Sequence, residues 1–279
     1  KPKGLFFLMA RFFEKWCILN ADIVITNTIA FRNAVINLPY FSAWTSASKV
    51  IIIPNCVDTK KFLANHPNRL ITRRELNWND RCVMIFAGEA RDWEAFEQII
   101  MLFKTVRSEI PNLYLALICY GDLLGVKQLL VRSNIDKNDY CIRTISPNQM
   151  PEILGAADVS VLLRKQDVYT KTVSSPIKFA EYLSSGLPVI MNSGIGDTTG
   201  IIEKYKVGAI LELAESDQLK PCITELMKMV ENDPELRQRC HEAAEKELSL
   251  DFSEELYFKA YQSVSKTAQE RMNHCNKNG

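Results

Sequence analysis

An excess of charge of either sign is missing from this 279-residue chain: 34 lysines and arginines are balanced by 33 aspartates and glutamates, a net +1. So even a balance builds no field that would gather a polyanion, and nucleic acid is not an expected partner. Paired cysteines are also missing. The eight present, Cys17, Cys56, Cys82, Cys119, Cys141, Cys222, Cys240 and Cys275, form no CxxC pair, and several sit in apolar strand-like runs. They read as small core residues in a reducing compartment, not as disulfide staples or zinc ligands. No apolar run is long enough to span a bilayer. The opening "GLFFLMARFFEKWCILNADIVITNT" is broken by Arg11, Glu14 and Lys15 and carries no signal-peptide cleavage pattern. At helical spacing its Leu5, Leu8, Met9, Phe12, Phe13 and Trp16 share one face, which predicts a helix packed on a sheet in preference to one lying on a membrane. With no initiator methionine, the chain reads as beginning inside a domain.

What is there is a core: 47% of residues are apolar, enough for one large or two modest domains. Short apolar runs alternate with amphipathic segments, the pattern of a parallel sheet with helical crossovers. "DIVIT" (Asp22–Thr26) and "KVIIIP" (Lys49–Pro54) are strands on either side of a helix opened by Thr28, and residues 58–79 read as a polar linker holding a short helix. From there six strand signals each lead into a helix: "CVMIFAG", "LYLALICYG", "YCIRTI", "VSVLL", "PVIMN" and "GAILEL". They predict a doubly wound α/β domain between about 80 and 212, with two or three terminal helices after it. No repeat or low-complexity segment interrupts the series.

Ligands of such sheets sit beyond the carboxyl ends of the strands. Two loops stand out there, "AGEARDW" (Ala87–Trp93) and "RKQDVYTKTVSS" (Arg164–Ser175). The second brings Arg164, Lys165, Lys171, Thr172, Ser174 and Ser175 to a helix N-terminus, with Ser175 as cap and Pro176 in the first turn. Backbone N–H groups, hydroxyls and cations together suit an anion, although a solvated loop with a capping serine reads equally well. Glu181 then stands in an otherwise apolar helix that ends near Gly186. Asp197, in "GIGDTTG", is expected to cap the following helix, with Gly194 and Gly196 admitting a ligand to the backbone. His66, His241 and His274 read as surface residues, and Tyr120–Gly121–Asp122 as a strand-to-helix cap or a neighbour of the ligand.

Taken in order, "ADIVITNT", "SKVIIIPNCVDTKKF", "PNQMPEILGAADVSVLL", "SSPIKFAEYLSSGLPVI" and "SGIGDTTGIIEKYKVGAIL" resemble the group 1 glycosyltransferases of family 4, in the branch that builds bacterial capsular and surface polysaccharides. The resemblance implies a GT-B arrangement, α/β, with a complete C-terminal Rossmann-like donor domain and the tail end of an N-terminal acceptor domain. It divides the chain into 1–57 (partial acceptor domain), 58–79 (linker), 80–250 (donor domain) and 251–279, a helix packing back on the first domain. It implies a retaining transfer of sugar from a UDP- or GDP-linked donor to a surface glycan or lipid-linked acceptor, in the cytoplasm at the inner membrane face, with peripheral membrane association.

Glu181 would take the ribose hydroxyls, and Ser174, Ser175, Ile177 and Lys178 would carry the diphosphate. Gly88, Arg91 and Lys171 complete the expected donor site. For Lys178 a surface pairing with Glu181 or Glu152 is the alternative role, and for Arg91 a surface ion pair. No catalytic residue is assigned, because acceptor-side groups belong to the partial domain. No metal or other cofactor is expected, since no DxD-like motif is present. Two departures are visible: Val173 stands where the family's first glutamate falls, and Cys56 replaces the usual glycine of "PNGVD". Two rival readings are a non-catalytic donor-binding subunit and a nucleotide-sugar epimerase.

Overall fold

The computed structural model describes residues 4–41, 46–166, 169–212 and 216–275. The chain opens with α1 (Leu5–Asn20), β1 (Val24–Thr26), α2 (Ile29–Ile36) and β2 (Val50–Ile52), in which β1 and β2 pair in parallel. After α3 (Arg69–Glu75) come β3 (Cys82–Ala90), α4 (Phe96–Arg107), β4 (Leu113–Gly121), α5 (Leu123–Arg132) and β5 (Tyr140–Arg143). Next are α6 (Met150–Ala156), β6 (Val159–Leu162), α7 (Tyr169–Thr172), α8 (Ile177–Ser184) and β7 (Val189–Asn192). The series ends with α9 (Thr198–Tyr205), β8 (Gly208–Leu211), α10 (Ser216–Asn232), α11 (Leu236–Leu248) and α12 (Leu250–Cys275).

The six strands β3 to β8 form one all-parallel sheet in the order β5-β4-β3-β6-β7-β8. Strand order therefore reverses between β3 and β6, and this is the crevice where an open α/β sheet receives a ligand. Both faces are covered. Along β3 the side chains alternate: Val83, Ile85 and Ala87 face the core under α8 and α11, while Met84 and Phe86 face the core under α4 and α10. A strand buried on both faces reads as an unbroken apolar run, which is why these strands were legible.

The stretch 58–79 packs instead of trailing. Trp78 is fully buried, and Arg73 reaches the carbonyls of Ala156, Trp78 and Arg81 and the carboxylate of Asp158. Arg69 joins the same aspartate at 2.5 Å, which explains the charge density: the basic residues dock this segment on the α6–β6 turn.

The expectation for α1 is overturned. Leu5, Phe6, Leu8, Met9, Phe12, Phe13 and Trp16 are all at least half exposed, and Ile18 is the helix's buried residue. The sheet beneath has two short strands, and its cluster of Ile18, Val35, Phe41 and Val50 covers little of a 16-residue helix. Similarly, Phe258 and Tyr261 on α12 are exposed where packing was expected, whereas Ser253 and Ala260 are buried. Among the described residues, no helix is long and apolar enough to cross a membrane.

Candidate functional site

At the crevice between β3 and β6 lies a cleft of about 400 Å³. Its lining includes the apolar or aromatic side chains of Ile118, Tyr120, Ile145, Pro147 and Met150 and the charged ones of Glu89, Arg91, Glu94, Arg164, Lys178 and Glu181. Of the eight residues expected at a donor site, Gly88, Arg91, Ile177, Lys178 and Glu181 line this cleft. Lys171, Ser174 and Ser175 do not.

Helix α8 supplies three of these residues, and its position is fixed by Tyr182. β6 pairs with β3 only at Met84 and Ile85, so further up β3 the Ala87 peptide lacks a strand partner on that side. The buried Tyr182 hydroxyl accepts from Ala87 N–H at 2.8 Å and donates to the Ala87 carbonyl at 3.2 Å. At the other end of α8, His241 Nδ1–H donates to the Ser184 carbonyl at 2.5 Å, so this histidine is not a surface residue.

The Lys178 side chain is 13% exposed and pairs with Glu94, not with the Glu181 or Glu152 of the surface alternative. Its ammonium lies 2.8 Å from Glu94 Oε1 and 4.4 Å from the Phe86 ring centroid. Burial pushes its pKa down, with Glu94 opposing that shift. Gly88 is required above it: with φ at +143° a Cβ would be strained and would sit 2.8 Å from Lys178 Nζ. Glu181, one turn further along, has its carboxyl pKa raised by burial, and Lys178 acts against that rise. Arg91 pairs with Glu89 and stacks 4.9 Å from the Trp93 ring centroid at the rim. Cys119, also in the lining, has its thiol pushed up to about 11 by burial, so it is no ready nucleophile. The six cysteines whose side chains are described are free, and Cys17 is exposed on α1.

The serines are engaged elsewhere. α8 begins at Ile177 with Pro176 as its N-cap, so Ser175 stands one residue too early to cap it. Ser175 Oγ accepts from Asn55 N–H at 3.1 Å, and the Ser175 carbonyl accepts from Asn55 Nδ2 at 2.7 Å. Ser174 donates to the Lys171 carbonyl at 2.8 Å, and the buried Lys171 donates to Gln166 Oε1 at 2.7 Å. Asp197 also departs from its expected role. It makes no side-chain cap on α9, and its Oδ2 accepts from Ile29 N–H at the start of α2. Gly196 brings the backbone close to Ser174: a Cβ there would lie 1.9 Å from the Ser174 carbonyl oxygen. Asp122 does cap α5, accepting from Gly125 N–H, while Tyr120 lines the cleft.

Sequence reasoning missed Glu94 as a member of this site. It lies in a turn just before α4, which looks like any polar helix entrance, yet it is 4% exposed. The turn is clamped to the end of β6: Ala95 N–H donates to the Leu163 carbonyl and Lys165 N–H to the Trp93 carbonyl, both at 3.1 Å. Arg164 is held from the other side by Asn192, whose side chain accepts from its N–H and donates to its carbonyl.

Comparison with known proteins places this geometry. Residues 68–247 match the family model described as glycosyl transferases group 1, more than half of the chain. No curated protein sequence matches it. Among solved structures, Anabaena HepE in complex with UDP-glucose superposes with a TM-score of 0.66 at 17% identity, over 88% of this chain and 64% of that one. A glycosyltransferase from Rickettsia africae gives 0.72 at 12% identity, over 91% and 67%. Sucrose-phosphate synthase from Thermosynechococcus elongatus gives 0.69 at 17%, over 91% and 61%. The chain thus spans less than two thirds of the HepE and synthase chains, and at these identities the likeness is one of fold.

Proposed function

The chain belongs to the group 1 glycosyl transferases, and from that premise we propose that its cleft binds the nucleoside diphosphate of a sugar donor whose glycosyl group passes to an acceptor. One observation carries this reading: at the reversal of strand order, α8 brings a largely enclosed lysine and, one turn on, a carboxylate to a cleft whose lining also includes Ile118, Ile145, Pro147 and Met150. These apolar side chains suit a flat base. Glu181 offers acceptor oxygens to the two ribose hydroxyls, which are donors. The first turn of α8 with Lys178, and Arg91 at the rim, meet the diphosphate. Breaking the sugar–phosphate bond leaves negative charge on the departing diphosphate, and these groups stabilise it most where it develops.

On this proposal the reaction needs no metal, retains anomeric configuration and feeds a surface glycan or lipid-linked acceptor at the cytoplasmic membrane face. These finer points rest on the motif resemblance, to family 4 and its capsular branch. Division at residues 57, 79 and 250 is part of the same proposal. Calorimetric titration with UDP, GDP and their sugars tests it, alongside Glu181→Ala. The expected result is binding of one nucleotide, weakened about tenfold or more in the variant, a loss of about 1.4 kcal/mol. Absence of binding by every nucleotide would overturn the reading. Binding without release of nucleotide in the presence of acceptor extracts would favour the donor-binding subunit.

A further inference from the structure

The cleft's charges cancel. Its lining holds three carboxylates, Glu89, Glu94 and Glu181, and three cations, Arg91, Arg164 and Lys178. A diphosphate is therefore not drawn in by net field, and its binding depends on where individual cations are held. Arg91 is at the half-exposed rim with Glu89. The inner set is Lys178, Arg164 and Glu94, with side chains 13%, 12% and 2% exposed. Glu94 Oε1 lies 2.8 Å from Lys178 Nζ and 3.9 Å from an Arg164 Nη.

Two atoms of this set, Glu94 Oε2 and Arg164 Nε, are buried without a hydrogen-bond partner. Unpaired buried polar atoms are rare and point to a missing partner or to a function. Here an orphaned acceptor and an orphaned donor belong to the same ion cluster, which leaves Arg164 free to close on Glu94 or to turn to an anion. The Glu94 backbone is tied to the end of β6 on both sides, and its side chain is enclosed against the Lys178 ammonium.

We propose that Glu94 is the positioning residue of the anion site: a fixed counter-ion that keeps Lys178 and Arg164 side by side on the floor of the cleft, with one net positive charge to offer a diphosphate. This rests on the reading of the cleft as a nucleoside diphosphate site. Glu94 does not itself touch the ligand, being buried and of the same sign. It holds two cations that would otherwise repel each other in a place where burial disfavours both. The groups that act on the Lys178 ammonium are the adjacent Glu94, Arg164 beyond it, Glu181 on its own helix and the Cys119 thiol on β4. Without the Glu94 charge, burial and Arg164 both push Lys178 toward its neutral form, with Glu181 as the carboxylate left to oppose them.

The test compares wild type, Glu94→Gln and Glu94→Asp. It measures affinity for UDP and GDP, and for uridine and guanosine, from about pH 6.5 to about pH 9.5, with the melting temperature of each variant. A second readout is the ammonium titration of Lys178 by NMR without nucleotide, assigned with Lys178→Met. Wild-type diphosphate affinity should begin to fall where Lys178 loses its proton, which burial places below the ordinary lysine range. In Glu94→Gln it should fall at lower pH, by at most about tenfold per pH unit for one proton, with the Lys178 titration moved down in parallel. Nucleoside affinity should be unchanged, and Glu94→Asp should restore part of the wild-type profile. Identical pH profiles in wild type and Glu94→Gln, or equal loss of nucleoside and diphosphate affinity, would overturn the positioning role while leaving the site intact. Failure of wild type to bind any nucleotide would remove the diphosphate reading itself, and the proposal with it.

Discussion

Glu181 carries opposite demands. Its burial raises the carboxyl pKa above the ordinary range, while the ribose it is proposed to hold needs the ionised form. Because the folded pKa lies above the unfolded one, ionising Glu181 destabilises the fold, and that cost is present once the pH exceeds the folded value. Nucleotide affinity should therefore fall as acid titrates Glu181, starting above the usual carboxylate range. Glu181→Gln should lose this acid limb and bind more weakly at neutral pH, yet melt no lower than wild type. Paired calorimetry and thermal melts check both, and a lower melting temperature would contradict the argument. At this scale legibility was uneven. Glu181 stood out as a charge in an apolar helix and Lys178 followed from the motif, but the partner of Lys178 did not. Glu94 is 84 residues away, and nothing local marks a buried carboxylate among the polar residues of a turn.

Strands and helices were far more legible. "LYLALICYG" is β4 residue for residue, and Asp122 caps α5 as its position suggested. What local pattern could not supply was the set of cross-chain bonds that fix one element to another. Ser175 looked like a cap because caps are local, yet it bonds Asn55, 120 residues back. Asp197 likewise reaches Ile29. Tyr182 is the clearest case at the element scale, because it ties α8 to the unpaired flank of β3. Tyr182→Phe keeps the volume and leaves the Ala87 N–H and carbonyl without that partner, which should cost about 1–3 kcal/mol. The urea midpoint should drop accordingly, and nucleotide affinity should weaken as α8 loses its register against Gly88. An unchanged midpoint would show that another group takes over the Ala87 peptide.

At the scale of the whole chain, the described residues present a large uncovered apolar surface on α1. The exposed faces of Leu5, Phe6, Leu8, Met9, Phe12, Phe13 and Trp16 exceed what single scattered side chains leave on a soluble surface. The purified 279-residue chain should therefore self-associate, and Phe6→Ser with Phe12→Ser should shift it toward monomer without lowering its melting temperature. Sedimentation velocity over a concentration series decides this, and equal sedimentation of both forms would refute it. The sequence showed the amphipathic face of α1 clearly. Whether anything covers it depends on how large a sheet stands beneath, and a periodicity cannot report that.

The strand order of the main sheet also sets a timetable for synthesis. β3, β4 and β5 leave the ribosome first and can pair in that order, but the other edge of β3 waits for β6, whose first residue comes 69 positions after the last residue of β3. At roughly 5–20 residues per second, "VMIFA" presents an apolar, unpaired edge to its surroundings for several seconds on every nascent chain. Slow decoding across residues 91–158 would lengthen that interval, and a chaperone that shields strand edges would matter most in this window.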